Sequence, residues 1–273
     1  MSERDDIAAA NRQHWERMAR EGHGFTCPWL DLRPDVLRSY ARGELDPVPD
    51  PLIYVYPAGL LAGVEGREVL CLASGGGQQS AVFGLLGARV TVLDLTEGQL
   101  AGDRRAAAHY GYEVTTIRGD MRDLSCLADE AFDLIYQAIS MAFVPDAEQV
   151  YREVARTLRR GGLYRVGHCN PATHVVESDS WDGEGYRICV PYVPGRIEDE
   201  GVGTIEFRHT LGDIFNGLVA AGLSVREVHD APFHRRHDTS APPGSWMHML
   251  TYVHQYFAIV AAKEPRSPSR ATG

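Results

Sequence analysis

Between residues 68 and 169 the chain repeats one rhythm: a short apolar run, a turn holding glycine or aspartate, then a helix-length stretch stopped by glycine. The runs at 68–73, 89–93, 114–118, 132–137 and 163–169 have the length and apolar content of buried strands. Helices are expected at 78–86, 97–110 and 146–158, with Gly87, Gly111 and the pair Gly161 and Gly162 as stops. Parallel strands need crossovers of this length, and such crossovers are right-handed, so the spacing predicts βαβ units in a parallel sheet. A helix at 211–221, stopped by Gly222, a strand at 223–229 and an apolar strand at 256–262 complete a seven-stranded sheet.

The turn after the first run organises the rest. Residues 69–77 read Val-Leu-Cys-Leu-Ala-Ser-Gly-Gly-Gly, joining a buried strand to a backbone free to turn sharply or to approach a ligand closely. Three glycines alone fit an ordinary loop equally well. Three further features fall at the ends of successive strands: Asp94, then Gly119-Asp120-Met121, then Gln137-Ala138-Ile139-Ser140. In a parallel sheet these lie on one edge and line one crevice. Asp94 can accept both hydroxyls of a ribose, and Asp120 can accept from an exocyclic amine. Together they describe a nucleoside-shaped site.

With these pieces in this order, the chain resembles the class I S-adenosylmethionine-dependent methyltransferases over roughly residues 68–166. Residues 69–77, 90–97, 119–124, 132–137 with Val144-Pro145-Asp146, and 153–162 carry the resemblance, and the turn is similar to that of a bacterial branch with Ala-Ser-Gly-Gly-Gly-Gln-Gln. The resemblance implies a Rossmann-like, seven-stranded, mostly parallel sheet with an antiparallel last strand, and S-adenosyl-L-methionine as cofactor. It further implies that Ala73, Gly75 and Gly77 lie along the methionine and ribose, that Asp94 binds the ribose, and that Asp120 and Met121 contact adenine. Gln137 is expected near the sulfonium, and Ser74, Gln78, Leu95, Gln99 and Ala138 are counted with the same site. Two departures stand out: Cys71 occupies a position where an acid is common, and Ala73 replaces the first glycine, a change expected to cost only a methyl group. A nicotinamide-dependent oxidoreductase is the rival for this architecture, but the turn lacks Gly-x-Gly-x-x-Gly spacing.

Outside the core, residues 1–62 read as an N-terminal cap: a helix at 2–20 capped by Ser2, then an aromatic, proline-rich segment with a short helix at 34–41. Residues 63–171 form the binding core. Residues 172–209 read as an inserted hairpin built from β-like runs at 186–193 and 204–209, which would cap a substrate. Residues 210–263 return to the sheet with a loop insertion at 231–249, and 264–273 read as a disordered tail.

For the chemistry, His168 at the end of the fifth strand is the first candidate base or substrate contact, with Asn170 beside it. A strand-end histidine bonded only to backbone is the competing reading. His14 and Trp15 are candidates for a lid, while Tyr136, Tyr186, Tyr192 and Trp181 are candidates for an aromatic pocket. His234, His237, His248 and His254 match no compact ligand spacing, so no metal is expected, and Arg235 with Arg236 read as a solvated pair.

Composition narrows the partners. Lys and Arg number 27 against 37 Asp and Glu, a net charge of −10, which argues against broad attraction to nucleic acid or an anionic membrane. Cysteines at 27, 71, 126, 169 and 189 are odd in number and lack a Cys-x-x-Cys pair, so they read as free thiols in a reducing cytoplasm. The expectation is transfer of a methyl group to a small-molecule oxygen, nitrogen or carbon acceptor, with no nucleic acid or membrane partner and a homo-oligomer left open. An RNA or protein methyltransferase and a non-catalytic cofactor-binding regulator are the alternatives.

Overall fold

The computed structural model describes residues 3–199, 203–231 and 240–265. The expected cap at Ser2, the residues His234, Arg235, Arg236 and His237, and 266–273 of the expected tail lie outside them. Strand β1 (Glu68–Leu72) lies inside a seven-stranded sheet with β2 (Arg89–Asp94), β3 (Val114–Arg118), β4 (Phe132–Ile139), β5 (Leu158–Cys169), β8 (Leu223–Asp230) and β9 (Tyr256–Lys263). Their order is β3-β2-β1-β4-β5-β9-β8. The first five pair in parallel and β9 runs antiparallel to both β5 and β8, as the sequence predicts.

Alternation along β1 divides the core into two layers. Leu70 and Leu72 face a layer built with α5 (Ala147–Thr157) and α6 (Leu211–Ala220). Val69 and Cys71 face the opposite layer, built with α2 (Pro34–Ala41), α3 (Gln79–Leu85), α4 (Glu97–Tyr110) and apolar residues between 52 and 64. Burial on both faces explains why these strands read as continuous apolar runs. Asp146 caps α5 by accepting from Gln149 N, and Thr210 with Asp213 forms a capping box on α6. Helix α1 (Glu3–Glu21) lies across α4 and β7 (Thr204–Arg208).

Three expectations need correction. The run 186–193 is not a strand: only Ile188 bridges, to Val176, and it is 77% exposed. Pro191 removes an amide that a ladder would need. The hairpin instead pairs β6 (Gly195–Asp199) with β7. The fifth strand begins at Leu158, not at 163, because Gly161 takes a φ of 78° and a register shift absorbs the extra residues. Within the second insertion, α7 (Trp246–Tyr252) starts from Ser245, whose side chain accepts from His248 N.

Ile135 in β4 is wholly buried beside Leu72, Leu93 and Met121. Ile135→Ala is expected to lower unfolding free energy by about 2–5 kcal/mol, read as a lower urea midpoint at unchanged m.

Candidate functional site

Two buried carboxylates hold the turn after β1 from behind. Gly75 N donates to Asp94 Oδ2 at 3.1 Å. Gly76 N and Gly77 N donate to the two oxygens of Asp103 on α4 at 3.1 and 3.0 Å, and Ser80 Oγ adds a bond of 2.5 Å. Gly77 has a φ of 79°, and a Cβ there would lie 2.4 Å from the carbonyl oxygen of Gly102. One at Gly102 would lie 2.7 Å from Gly76 O, so turn and helix touch backbone to backbone. Asp94 Oδ1 accepts from Thr96 N at 3.0 Å and Thr96 Oγ1 at 2.8 Å.

Burial drives the electrostatics. It raises the pKa of Asp94 against the pull of its hydrogen bonds. It pushes Asp103 up to about 7, with the Asp94 charge adding to the effect. Cys71, where an acid is common in the resembling family, is wholly buried, its thiol pKa raised by burial and then by the Asp103 charge. The acid near this part of the turn therefore comes from α4 rather than from β1. Ala73 has a φ of 44°, which costs an L-residue about 1–2 kcal/mol, so replacing the first glycine costs more than a methyl group.

The edge opens on a small, partly open recess lined by Ala73, Leu95, Gly119, Asp120, Met121, Arg122, Phe143 and Val144, with Ala8 and Asn11 of α1 across it. Arg122 fixes Asp120, its N and Nε each lying 2.9 Å from Oδ1. A nucleoside suits these walls. Asp94, at the end of β2, accepts a single bond at Oδ2, and Asp120 offers acceptors beside the Met121 thioether.

The N-terminal cap is fastened to this edge at several points. Asn11 pairs with the backbone of Ile205 on β7, donating to its carbonyl at 3.0 Å and accepting from its amide at 2.9 Å. Glu16 accepts from Glu97 N at 2.7 Å and Gly98 N at 3.2 Å, capping α4 where the Thr96 side chain makes no cap bond. Trp15 meets Phe143 edge-on at 5.6 Å, and His14 packs beside Trp15 at 5.3 Å. Gln78 donates to the carbonyls of Gly24 at 2.8 Å and Cys27 at 3.1 Å, strapping that segment over the turn. Ser74 Oγ donates to Leu72 O and accepts from Ala138 N, tying the turn to β4. Gln99 packs beneath Gly75, and its Oε1 is buried without a hydrogen-bond partner.

Several candidates lie elsewhere. His168 is buried between Phe257, on which it stacks at 5.5 Å, and Tyr151, whose hydroxyl is 3.2 Å from Nε2. Burial pushes its pKa down to about 3, which disfavours the protonated ring, and the side chain packs within the α5 layer rather than on the recess. Gln137 is wholly buried, accepting from Tyr164 Oη and donating to Ser140 Oγ and Met121 Sδ, which turns its side chain into the core rather than toward a sulfonium. Tyr136 packs on the opposite layer against Phe83. Asn170 donates to His254 O and accepts from Ala172 N, so it closes a loop. Tyr192 is half exposed and its hydroxyl accepts from Leu211 N at the start of α6. Tyr186 and Trp181 pack on each other and on His248 and Tyr252, joining the two insertions into one aromatic cluster instead of lining a pocket. Among the described residues no group of His, Cys, Asp or Glu could hold a metal ion.

Gly102 and Asp103 were not anticipated, although a glycine followed by an aspartate inside a helix is a poor helix-forming pair and thus a legible signal. Asn11 and Glu16 carried no such signal, because their partners lie 194 and 81 residues away.

Comparison with known proteins agrees with this geometry. The family model described as a methyltransferase domain matches residues 70–166. The uncharacterized methyltransferase YbaJ of Bacillus subtilis is 32% identical over 231 residues, covering 80% of this chain and 88% of that protein. The chain belongs to the S-adenosylmethionine-dependent methyltransferases. Among solved structures, the S-adenosylmethionine dependent methyltransferase from Mesorhizobium loti superposes with a TM-score of 0.62 at 22% identity, covering 86% of this chain and all of that one. The Burkholderia thailandensis 1,6-didemethyltoxoflavin-N1-methyltransferase does so with 0.59 at 18% identity, covering 97% and 92%.

The raised pKa of Asp103 means the folded state holds its proton more tightly than the unfolded chain. Its contribution to stability is therefore greatest below pH 3.8 and falls as pH rises toward about 7. Relative to Asp103→Asn, the wild-type melting temperature is expected to drop between pH 4 and 7 and level off above, as thermal melts at stepped pH will read.

Proposed function

We propose that the protein transfers a methyl group from S-adenosyl-L-methionine to a small-molecule acceptor in the cytoplasm. The observation that carries this reading is the recess at the ends of β1 to β4, bordered on its far side by Ala8 and Asn11 of α1. In this reading the adenosine occupies that recess. Asp94 accepts a ribose hydroxyl, Asp120 and Met121 flank adenine, and Ala73, Ser74, Gly75 and Ala138 border the methionine end. The Burkholderia neighbour, crystallised with 1,6-didemethyltoxoflavin and S-adenosylhomocysteine, supports an acceptor of modest size. So does the net charge of −10, which disfavours RNA. Five free cysteines suit a reducing compartment, and no helix among the described residues is long and apolar enough to cross a membrane.

The cofactor, when bound, supplies an electrophilic methyl group on a sulfonium, and its displacement runs in line with the attacking atom. The chain's part is alignment and exclusion of water. The turn is fixed by Asp94 and Asp103, and α1 is held in place by Asn11 and Glu16. With His168 in the core, no side chain is assigned as a base, which suits an acceptor that ionises readily.

Calorimetric titration with S-adenosylhomocysteine is expected to show binding to the wild type and a loss of about tenfold or more in Asp94→Ala, the scale of a hydrogen bond to a charged group. Absence of wild-type binding would sink the reading. Incubating the methyl donor with a panel of phenols, amines and carboxylic acids is expected to release S-adenosylhomocysteine with at least one acceptor.

A further inference from the structure

The Asp103 side chain is wholly buried within α4, and among the described residues it forms no ion pair. Both of its oxygens face the turn after β1 and the helix that follows. Gly76 N donates to Oδ2, Gly77 N donates to Oδ1, and Ser80 Oγ in the first turn of α3 lies 2.5 Å from Oδ1. Behind Ser80 stands Tyr112, its hydroxyl 3.5 Å from Ser80 Oγ. The titratable groups around Asp103 are Cys71 of β1, Asp94 of β2 and Tyr112 of the segment before β3. Asp94 in turn feels the charge of Glu16 on α1. All of these are acids, so an ionised Asp103 meets no opposite charge among them and is held by its hydrogen bonds alone.

The two protonation states hold the turn differently. As a carboxylate, Asp103 accepts all three donors, and its charge makes such bonds roughly twice as strong as neutral ones. A proton on Oδ2 weakens the acceptor of Gly76 N. A proton on Oδ1, directed at Ser80 Oγ, weakens the acceptor of Gly77 N. Either way one glycine amide is held less firmly where the backbone is buried. Burial pushes the Asp103 pKa up to about 7, the Ser80 and glycine bonds opposing the rise and the Asp94 charge adding to it, so both states are populated near neutral pH. The turn that they shape begins at Ala73, which lines the recess.

We propose that Asp103 is a positioning residue for the methyl donor, which binds to the carboxylate form and so expels one proton from Asp103 to the solvent. The inference rests on the methyltransferase reading and adds to it a protonation state that the turn must reach. A ligand moves such an equilibrium only as far as it prefers one form. Here the preference comes from lying against a turn that the carboxylate holds at both Gly76 and Gly77. The sign follows from linkage: a ligand that lowers the Asp103 pKa from about 7 binds more tightly as pH rises toward that value and with constant affinity above it.

The test titrates the wild type calorimetrically with S-adenosylhomocysteine in buffers of different ionisation enthalpy, so that the heat counts protons. About half a proton or more is expected to leave on binding at pH 6.5 and almost none at pH 8, with affinity falling about tenfold or more from pH 8 to pH 5.5. Asp103→Asn is expected to abolish the release at pH 6.5 and to flatten the affinity profile. Ser80→Ala removes a donor that favours the carboxylate, so the midpoint of the profile is expected to move to higher pH. Because Asp103→Asn could fail to fold, the wild-type proton count and the Ser80→Ala midpoint decide by themselves. Binding without proton release at pH 6.5, or an unmoved midpoint in Ser80→Ala, overturns the proposal. The same release from Asp103→Asn also overturns it, by assigning the proton to another group such as Asp94. Failure of the wild type to bind S-adenosylhomocysteine at any pH refutes the methyltransferase reading, and this inference with it.

Discussion

Everything at the site depends on three consecutive amides finding acceptors in a place where water is excluded. Gly75, Gly76 and Gly77 turn their N–H groups inward to Asp94 and Asp103, so the turn is shaped by two buried carboxyl groups. Amides of a glycine turn are often credited with binding a ligand directly. Here they bind the protein, and the glycines serve closeness, because a side chain at Gly77 or Gly102 would push the turn off its helix. A carboxylate in such surroundings is stabilised by its donors and destabilised by desolvation, which is why Asp103 sits near its titration point at neutral pH. The turn thus combines rigid geometry with an electrostatic liability placed next to the cofactor pocket.

The same opposition of burial and polarity recurs at Arg165, which stacks on Tyr136 in the layer that α3 and α4 also build. There the protein supplies two aromatic faces and two carbonyls to a cation, and among the described residues no carboxylate. The two centres lie to either side of β4, one negative and one positive, and Ser74 links the turn to the end of that strand through Ala138.

Strand and helix positions were legible in the sequence because they follow from local patterns: apolar runs of strand length, glycine stops and the βαβ rule. The residues 119–121 after β3 and Leu95 after β2 were legible for the same reason, since a strand end in a parallel sheet has one direction to open. Side-chain direction was not. His168, Gln137 and Tyr136 sit on the right strands, but alternation sends each into a core layer, and no pattern in the sequence distinguishes inward from upward at a strand end. Tyr186 and Tyr192 failed differently: an aromatic residue in an insertion packs on whatever the other insertion presents, and that partner lies far away in sequence. Asp103 was overlooked because attention to strand ends passes over helix interiors.

The capping of α4 by Glu16 has a consequence for how the pocket comes into being. The helix that carries Gly102 and Asp103 lacks a side-chain cap from its own Thr96, and two of its first amides are satisfied from a point 81 residues earlier. Completing that helix end is a long-range contact, closing a loop of 81 residues between the start of the chain and α4. Residues 3–21 are therefore a structural part of the recess at the sheet edge, and a truncation that removes them would remove one wall and expose the start of the helix beneath it.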